Sequence, residues 1–167
     1  ARRRLEFVGD SILAGAFALG TDTYGYLLNE SSAQSFGPLT ARKLGAEYSV
    51  VATSGEGVVH NYRESAAKGR SFTHSGDDYA RLLWGEPGSR FTGQGLKPQV
   101  IVLNPGANDF TGPVYPAEDF EEGYRKLILQ VRHLNPKAYI LCLEPVPFQY
   151  RASKPLLEHA VTELLLR

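Results

Sequence analysis

Four short apolar runs, rich in β-branched and aromatic residues, recur along the chain, and each has the length of a β-strand. They read LEFVG (5–9), YSVVA (48–52), VIVLN (100–104) and YILCL (139–143). The third run is apolar without alternation, a pattern typical of a strand buried on both faces of a parallel sheet. The hydrophobic pattern therefore predicts four strands distributed over most of the chain.

Apolar residues at helical spacing lie between and after these runs. The clearest segment is 116–135, which has acidic residues in its first turns and Arg132 and His133 in its last, as a helix dipole favours. Shorter or weaker helical patterns lie at 33–45, 77–84 and 154–167.

The predicted elements follow the order βαβ, a long insertion and then βαβα. This alternation favours a three-layer α/β/α sandwich with a doubly wound parallel sheet. A chain of 167 residues is long enough for one such domain. The insertion from His60 to Pro98 is too long for a passive connection, so we expect it to shape a site at the surface.

Composition and charge remove several classes of partner. The 18 Lys+Arg balance the 18 Asp+Glu, and the only basic run is Arg2-Arg3-Arg4, so no nucleic-acid partner is expected. No apolar stretch approaches the roughly 18 residues of a membrane helix, so no membrane partner is expected either. The single cysteine, Cys142, lies in an apolar run and is expected to be a buried, inert thiol. No spacing typical of metal ligands and no phosphate-binding glycine loop is present, so neither a metal nor a cofactor is expected.

Glycine-rich and polar segments follow the first three predicted strands. They are Gly9-Asp10-Ser11, TSGEG (53–57) and NPGANDF (104–110). Each segment alone is best explained as a turn or a helix cap, but three in succession are far less expected by chance. The carboxyl ends of parallel strands meet at one edge of a sheet. A serine, a glycine N–H and an asparagine amide would thus converge there, and these are the parts of an acyl-transfer site.

At these residues the chain resembles the SGNH, or GDSL-type, hydrolase superfamily. FVGDSIL matches the first block of that family, Ser54-Gly55 its glycine block, and Gly106 to Asp109 its Gly-x-Asn-Asp block. The segments ATSGEGVVHNY, PQVIVLNPGANDF and FEEGYRKLILQVRHLNP look like the catalytic domain of carbohydrate esterase family 2, which removes acetyl groups from plant polysaccharides. The resemblance covers roughly residues 4–148 and implies a flavodoxin-like SGNH fold. It is also the sole reason to favour an extracellular location.

The resemblance implies a role for each matched position. Ser11 would be the nucleophile, and its own backbone N–H, the N–H of Gly55 and the side chain of Asn108 would form the oxyanion hole. Gly57 would replace Gly55 if the alignment shifts.

Two aspartates also occupy motif positions. We expect Asp10 and Asp109 to organise their turns rather than to transfer protons. The Gly-x-Ser-x-Gly nucleophile elbow of α/β-hydrolases is absent from the chain, which separates the two serine-esterase folds.

A serine nucleophile needs a general base. In the resembled family this base is a histidine in an Asp-x-x-His block that follows a fifth strand. None of the four histidines has an aspartate three residues before it: His60, His74, His133 and His159. We therefore expect the last strand, its helix and the base to lie beyond Arg167, so that this single domain is truncated and residues 1–167 alone are nearly inactive.

The expected function is that of an O-acetyl esterase on xylan-type polysaccharide or oligosaccharide, acting through an acyl-enzyme on Ser11, with additional domains allowed in the full-length protein. The alternatives are a lipid or small-ester hydrolase of the same superfamily and a catalytically dead carbohydrate-binding homologue. A fatty-ester hydrolase should show a broad apolar groove, whereas the insertion offers Tyr62, Trp84 and polar neighbours that suit sugar rings. Trp84 is a candidate substrate-binding residue, and a packed core position fits it equally well.

Overall fold

A parallel sheet forms the centre of the part of the chain that the structure describes. The computed structural model describes residues 2–20, 28–63, 74–81, 86, 88–90, 95–111 and 117–144. Within these ranges the sheet has four strands in the order β2-β1-β3-β4. The strands are β1 (Arg4–Gly9), β2 (Glu47–Ala52), β3 (Val100–Leu103) and β4 (Tyr139–Cys142). All four predicted strands are confirmed, with small shifts of their ends.

Four α-helices lie in the described ranges: α1 (Ser11–Ala14), α2 (Phe36–Lys43), α3 (Ser75–Tyr79) and α4 (Ala117–Leu134). The prediction of a helix over 116–135 is confirmed by α4. The predicted helix 33–45 is instead a 3-10 turn (Ser32–Gln34) followed by α2. Pro38 lacks an N–H, so it is tolerated only in the first turn of a helix, and α2 accordingly begins at Phe36.

The two remaining helix predictions concern residues 77–84 and 154–167. The pattern at 77–84 predicted a helix that begins and ends later in the chain than the observed one, since α3 spans Ser75–Tyr79. Residues 82–85 and the predicted helix 154–167 lie outside the described residues.

Both faces of the sheet pack against helices, which confirms the three-layer arrangement. Successive residues of a strand point to opposite faces. Leu5 and Phe7 of β1 accordingly pack on the side of α1 and α2, in a cluster with Leu13, Ala41 and Val102. The opposite cluster is larger and contains α4. Its fully or largely buried members include Val8, Ile101, Leu103, Phe120, Tyr124, Leu127 and Val131.

The order of the strands fixes where a site can form. From β1 the chain passes to β2 on one side, while β3 lies on the other, so the order reverses at the carboxyl end of β1. Gly9 pairs with Ala52 of β2, and Val8 pairs with Leu103 of β3. The backbone N–H of Asn104 donates to the oxygen of Val8 at 2.8 Å. The loops after β1, β2 and β3 therefore start at one level, at the crevice where ligands bind in such sheets.

The expectation that Cys142 is a buried thiol is wrong in part, because this residue lies on the edge strand β4. Cys142 is half-buried rather than fully buried, since β4 has a neighbouring strand on only one side within the described sheet. Burial raises the pKa of its thiol to about 11, so the reactive thiolate is scarce at neutral pH. None of the helices in the described ranges is both long and apolar enough to cross a membrane.

Candidate active site

Ser11 is the first residue of α1, directly past the end of β1. Asp10 is the N-cap of this helix, and its Oδ1 accepts the N–H of Ile12 at 3.0 Å. After one turn the helix ends at Gly15, which has a φ of 82°. A Cβ on Gly15 would lie 2.0 Å from the backbone oxygen of Ser31, so this sharp ending requires glycine. The short helix leaves Ser11 half-buried at the edge of the sheet.

The loop after β2 contains two glycines with different roles. Gly55 has a φ of 85°, a left-handed conformation that favours glycine. Its oxygen accepts the N–H of Tyr62 at 2.7 Å, while its own N–H meets no acceptor among the described residues. The N–H of Gly57, by contrast, donates to Oδ1 of Asn61 at 2.9 Å. Gly57 is thus engaged within the loop, which favours Gly55 over Gly57 as a donor to a ligand.

Asn108 begins the 3-10 turn that follows β3, Asn108–Phe110, and it is buried. Its Nδ2 donates to the backbone oxygen of Glu56 at 2.8 Å, which joins this turn to the loop after β2. The hydroxyl of Thr111 donates to the oxygen of Asn108 at 2.7 Å and so closes the turn. One Nδ2 hydrogen is used in this way, and the second has no acceptor in the part of the chain that the structure describes.

Asp109, the next residue, accepts three backbone N–H groups from the same loop. Its Oδ2 accepts from Val58 at 2.9 Å, and its Oδ1 accepts from Val59 at 2.8 Å and from His60 at 3.0 Å. Burial raises the pKa of Asp109 to about 6, although the three N–H groups favour the charged form. Asp109 thus organises the loop after β2 rather than its own turn, which Thr111 closes.

Asp10 follows the same rule at the other end of the site. Its side chain is completely buried, and this burial raises its pKa to about 6. The backbone N–H groups of Ile12 and Ala107 oppose the shift because they stabilise the carboxylate. As expected from the sequence, Asp10 holds the turn that carries Ser11.

Ser11, Gly55 and Asn108 thus follow three adjacent strand ends at one edge of the sheet. The hydrogen bond from Asn108 to Glu56 connects two of these loops directly. Acyl transfer requires a hydroxyl beside N–H donors that are available to a substrate, and at this edge the N–H of Gly55 and one Nδ2 hydrogen of Asn108 have no acceptor among the described residues.

The described histidines occupy a different part of the surface. His60, His74 and His133 all line a groove of about 870 Å³ between α3 and α4, and Ser11 does not line it. His133 lies in the last turn of α4, which has 18 residues and is about 27 Å long. The fourth histidine, His159, lies outside the described residues, as does Trp84. No group of three or more His, Cys, Asp or Glu in the described ranges is arranged to hold a metal ion.

Sequence reasoning missed the contacts that support the site. Asn61 fixes Gly57, Thr111 closes the Asn108 turn, and the hydroxyl of Ser54 donates to the carboxylate of Glu30. Only Asn61 gave a signal, since an asparagine soon after a glycine pair indicates a turn. Ser54 and Glu30 are 24 residues apart in the chain, so no local pattern reveals that they are in contact.

An exposed aromatic side chain lies beside the loop of Gly55. Tyr62 keeps 52% of its surface accessible. The guanidinium of Arg63 lies 5.1 Å from the centre of the Tyr62 ring, within the range of a cation–π contact. The N–H of Arg63 donates to the hydroxyl of Thr111 at 3.1 Å. This pair is thereby tied to both the loop after β2 and the turn after β3.

The chain matches the GDSL-like Lipase/Acylhydrolase family over residues 7–163. It is 35% identical over 142 residues to the cellulase/esterase CelE of Acetivibrio thermocellus, a match that covers 84% of this chain and 17% of CelE. It is 30% identical over 156 residues to an acetylxylan esterase / glucomannan deacetylase of Cellvibrio japonicus, covering 85% of this chain and 42% of that protein. The chain thus spans less than half of the length of either protein.

Solved structures show the same relationship. A family two carbohydrate esterase from Clostridium thermocellum, solved in complex with cellohexaose, superposes with a TM-score of 0.78 at 33% identity. The match covers 97% of this chain and 48% of that chain. The resemblance to family 2 carbohydrate esterases seen in the sequence motifs is confirmed. The chain belongs to the GDSL-like lipase/acylhydrolase family, and family 2 carbohydrate esterases are among its relatives.

Proposed function

We propose that this protein is a serine esterase that removes O-acetyl groups from carbohydrate through an acyl-enzyme on Ser11. The observation that carries the proposal is the position of Ser11 at the same sheet edge as Gly55 and Asn108. The N–H of Gly55 and the second Nδ2 hydrogen of Asn108 have no acceptor among the described residues. The carbonyl oxygen of an ester gains negative charge when a nucleophile adds to it. Fixed N–H donors stabilise that charge most when it develops.

The reaction would take place in two steps. In the first, Oγ of Ser11 adds to the acetyl carbon, the bond from this carbon to the sugar oxygen breaks, and the sugar leaves as an alcohol with the proton that a general base took from Ser11. In the second, water adds to the acetyl-serine, acetate leaves and the serine hydroxyl is restored. The oxyanion of each step would accept from the backbone N–H groups of Ser11 and Gly55 and from Nδ2 of Asn108.

No hydrogen bond among the described residues joins Ser11 to a general base. The described histidines line the groove between α3 and α4, which Ser11 does not line. Two other candidates for the base are His159 and a residue outside the printed sequence. We propose the latter, an Asp-x-x-His segment after Arg167, so that the catalytic domain extends past this residue. Leu156 stands three residues before His159, where such a segment needs aspartate.

A carbohydrate substrate is supported by the surface near the site. Tyr62 presents an exposed ring beside the loop of Gly55, and sugar rings stack their apolar faces on aromatic side chains. The names of the relatives, an acetylxylan esterase / glucomannan deacetylase and an esterase bound to cellohexaose, agree with this substrate class. We further propose that the acetylated sugar lies across Tyr62, with its acetyl group at Ser11.

The test is release of acetate from acetylated xylan and glucomannan by the full-length protein. Ser11→Ala should abolish release, whereas Ser32→Ala, at an exposed serine of the 3-10 turn before α2, should not. Faster cleavage of long-chain acyl esters than of acetyl esters would favour the lipid-hydrolase alternative. Binding of the polysaccharide without any release of acetate would favour the non-catalytic carbohydrate-binding alternative.

A further inference from the structure

Three consecutive residues, Val58, Val59 and His60, direct their backbone N–H groups at one carboxylate. The distances to the oxygens of Asp109 are 2.9, 2.8 and 3.0 Å. Successive N–H groups that converge in this way form a concave site for an anion. Here the anion belongs to the chain itself, and it comes from the loop after the neighbouring strand.

Asp109 and its neighbour Asn108 hold the same loop at two points. Nδ2 of Asn108 donates to the oxygen of Glu56, and the carboxylate of Asp109 accepts the N–H groups that follow along the loop. The loop also contains Gly55, one of the proposed oxyanion donors. The separation between the N–H of Gly55 and the amide of Asn108 therefore depends on this set of bonds.

We propose that Asp109 is a positioning residue of the oxyanion hole. It holds the loop that carries Gly55 against the turn that carries Asn108, so that both donors keep the geometry that a tetrahedral intermediate needs. This inference rests on the proposed esterase function, and it gives Asp109 no part in proton transfer.

The chemistry of the loop explains why a carboxylate occupies this position. A carboxylate has two acceptor oxygens, enough for three N–H groups, whereas an asparagine has one oxygen and an NH₂ group that only donates. The loop is also closely packed on this side chain, because a Cβ on Gly57 would lie 2.8 Å from Oδ2 of Asp109. Asp109 is only 3% exposed, and burial of a charge is costly. The hydrogen bonds of this carboxylate offset the cost of burial, and they hold the loop in one conformation.

The decisive variant is Asp109→Asn. Its Oδ1 can still accept from Val59 and His60, but its NH₂ group would face the N–H of Val58. We expect kcat for an aryl acetate to fall about 10- to 100-fold with KM within about twofold, because misplaced donors weaken transition-state stabilisation rather than substrate binding. Amide hydrogen exchange of residues 58–60 should become faster.

The matched control is Glu6→Gln. Glu6 is a second buried carboxylate on the same side of the sheet, but it accepts from the hydroxyls of Ser49 and Tyr79 rather than from the loop. Its substitution should leave kcat unchanged even where the protein becomes less stable. A loss of kcat in both variants would show a general effect of removing a buried charge and would overturn the proposal.

A double substitution tests the assigned route. If Asp109 acts by placing the donors, Asp109→Asn should lower kcat much less in an Asn108→Ala background than in the wild type. Asp109→Ser, which keeps one acceptor, replaces Asp109→Asn should that variant not fold. Unchanged kcat in a folded Asp109 variant overturns the positioning role and leaves the esterase function standing. A full-length wild-type protein that releases no acetate overturns both.

Discussion

Two buried carboxylates on the α4 side of the sheet are held by different kinds of donor. Glu6, in the middle of β1, accepts from the hydroxyl of Ser49 at 2.8 Å and from that of Tyr79 at 2.7 Å. Asp109, at the carboxyl edge, accepts from three backbone N–H groups of the loop after β2. The first carboxylate joins elements of secondary structure, and the second joins two loops of the candidate site.

This difference separates the scaffold from the site. The hydroxyl of Tyr79 also accepts from Nδ2 of Asn135 at 2.7 Å, so the Glu6 group connects β1, β2, α3 and the end of α4. Burial and the negative charge of Glu6 hold the pKa of Tyr79 well above its usual range, and its hydroxyl remains a donor. Substitutions in this scaffold group should change stability and leave the rate alone, whereas substitutions at the site edge should change the rate.

The largest effect that tests this separation is expected from an asparagine at the edge. Asn108→Ala removes a proposed oxyanion donor and should lower kcat about 10²–10³-fold, or about 3–4 kcal/mol, with a smaller change in KM. Asn135→Ala is the matched control in the scaffold and should lower the melting temperature without changing kcat. Kinetics on an aryl acetate, with thermal unfolding of both variants, provide the measurement. A rise in KM alone for Asn108→Ala would contradict the oxyanion role.

The next prediction concerns how far the buried negative charge of Asp10 and Asp109 lowers the stability of the fold. Because the folded-state pKa of Asp10 is about 6 against an ordinary 3.8, the folded protein holds this proton more tightly than the unfolded chain does. Protonated Asp10 thus stabilises the fold below about pH 4, and this contribution is lost as the pH rises to about 6. The loss is about 3 kcal/mol by order of magnitude, and Asp109 adds a shift of the same direction.

Asp10→Asn keeps an acceptor for the N–H of Ile12 and removes the titration. The free energy of unfolding, measured in urea between pH 4 and pH 7, should then fall with pH about half as much as in the wild type. Glu122→Gln is the control, because the pKa of Glu122 is lowered by Arg125 and its contribution changes in the opposite direction. An unchanged slope in Asp10→Asn would show that Asp10 does not titrate in this range.

The same contrast shows what could be predicted from the sequence. The four strands and α4 have local signals, namely runs of β-branched residues and apolar residues at helical spacing. Ser11, Gly55 and Asn108 could be singled out because each lies in a segment that follows a strand, and such segments of a parallel sheet meet at one edge. Their match to the blocks of the resembled family then selected them within those segments. No side-chain contact had to be known in advance to predict that these three residues lie at the same edge of the sheet.

The carboxylate contacts have no such signal. The donors to Asp109 lie 49 to 51 residues before it in the chain, and they are backbone groups that every residue has. Glu6 appears in the sequence as a charged residue within an apolar strand, and its partner Tyr79 is 73 residues away. The base could not be predicted among the described histidines, and its identification as an Asp-x-x-His residue stays a prediction. The roles of Ser11, Gly55 and Asn108 are also predictions until the variants are measured.

A smaller effect is expected in the scaffold. Tyr79→Phe removes the hydroxyl that donates to Glu6 and accepts from Asn135, and it leaves a buried carboxylate oxygen without that donor. The free energy of unfolding should fall by about 2 kcal/mol, the usual cost of such an unsatisfied group. The rate on an aryl acetate, measured well below the melting temperature, should stay within twofold of the wild type, by order of magnitude. A large loss of kcat in folded Tyr79→Phe would contradict the separation of the scaffold from the site.

The smallest effect concerns the rim of the edge, where an aromatic ring should act on the sugar and not on the ester. Tyr62→Ala should lower kcat/KM on an acetylated oligosaccharide about fivefold, because one stacking contact contributes on the order of 1 kcal/mol, and should leave an aryl acetate almost unaffected. Tyr139→Ala is the control: this ring is 76% exposed at the start of β4, on the opposite edge of the sheet. Trp84→Ala, at a residue outside the described ranges, should follow Tyr62 if it also contacts sugar, and should lower the melting temperature instead if it packs in the core. Equal losses on both substrates in Tyr62→Ala would mean that the ring supports the loop of Gly55 rather than the carbohydrate.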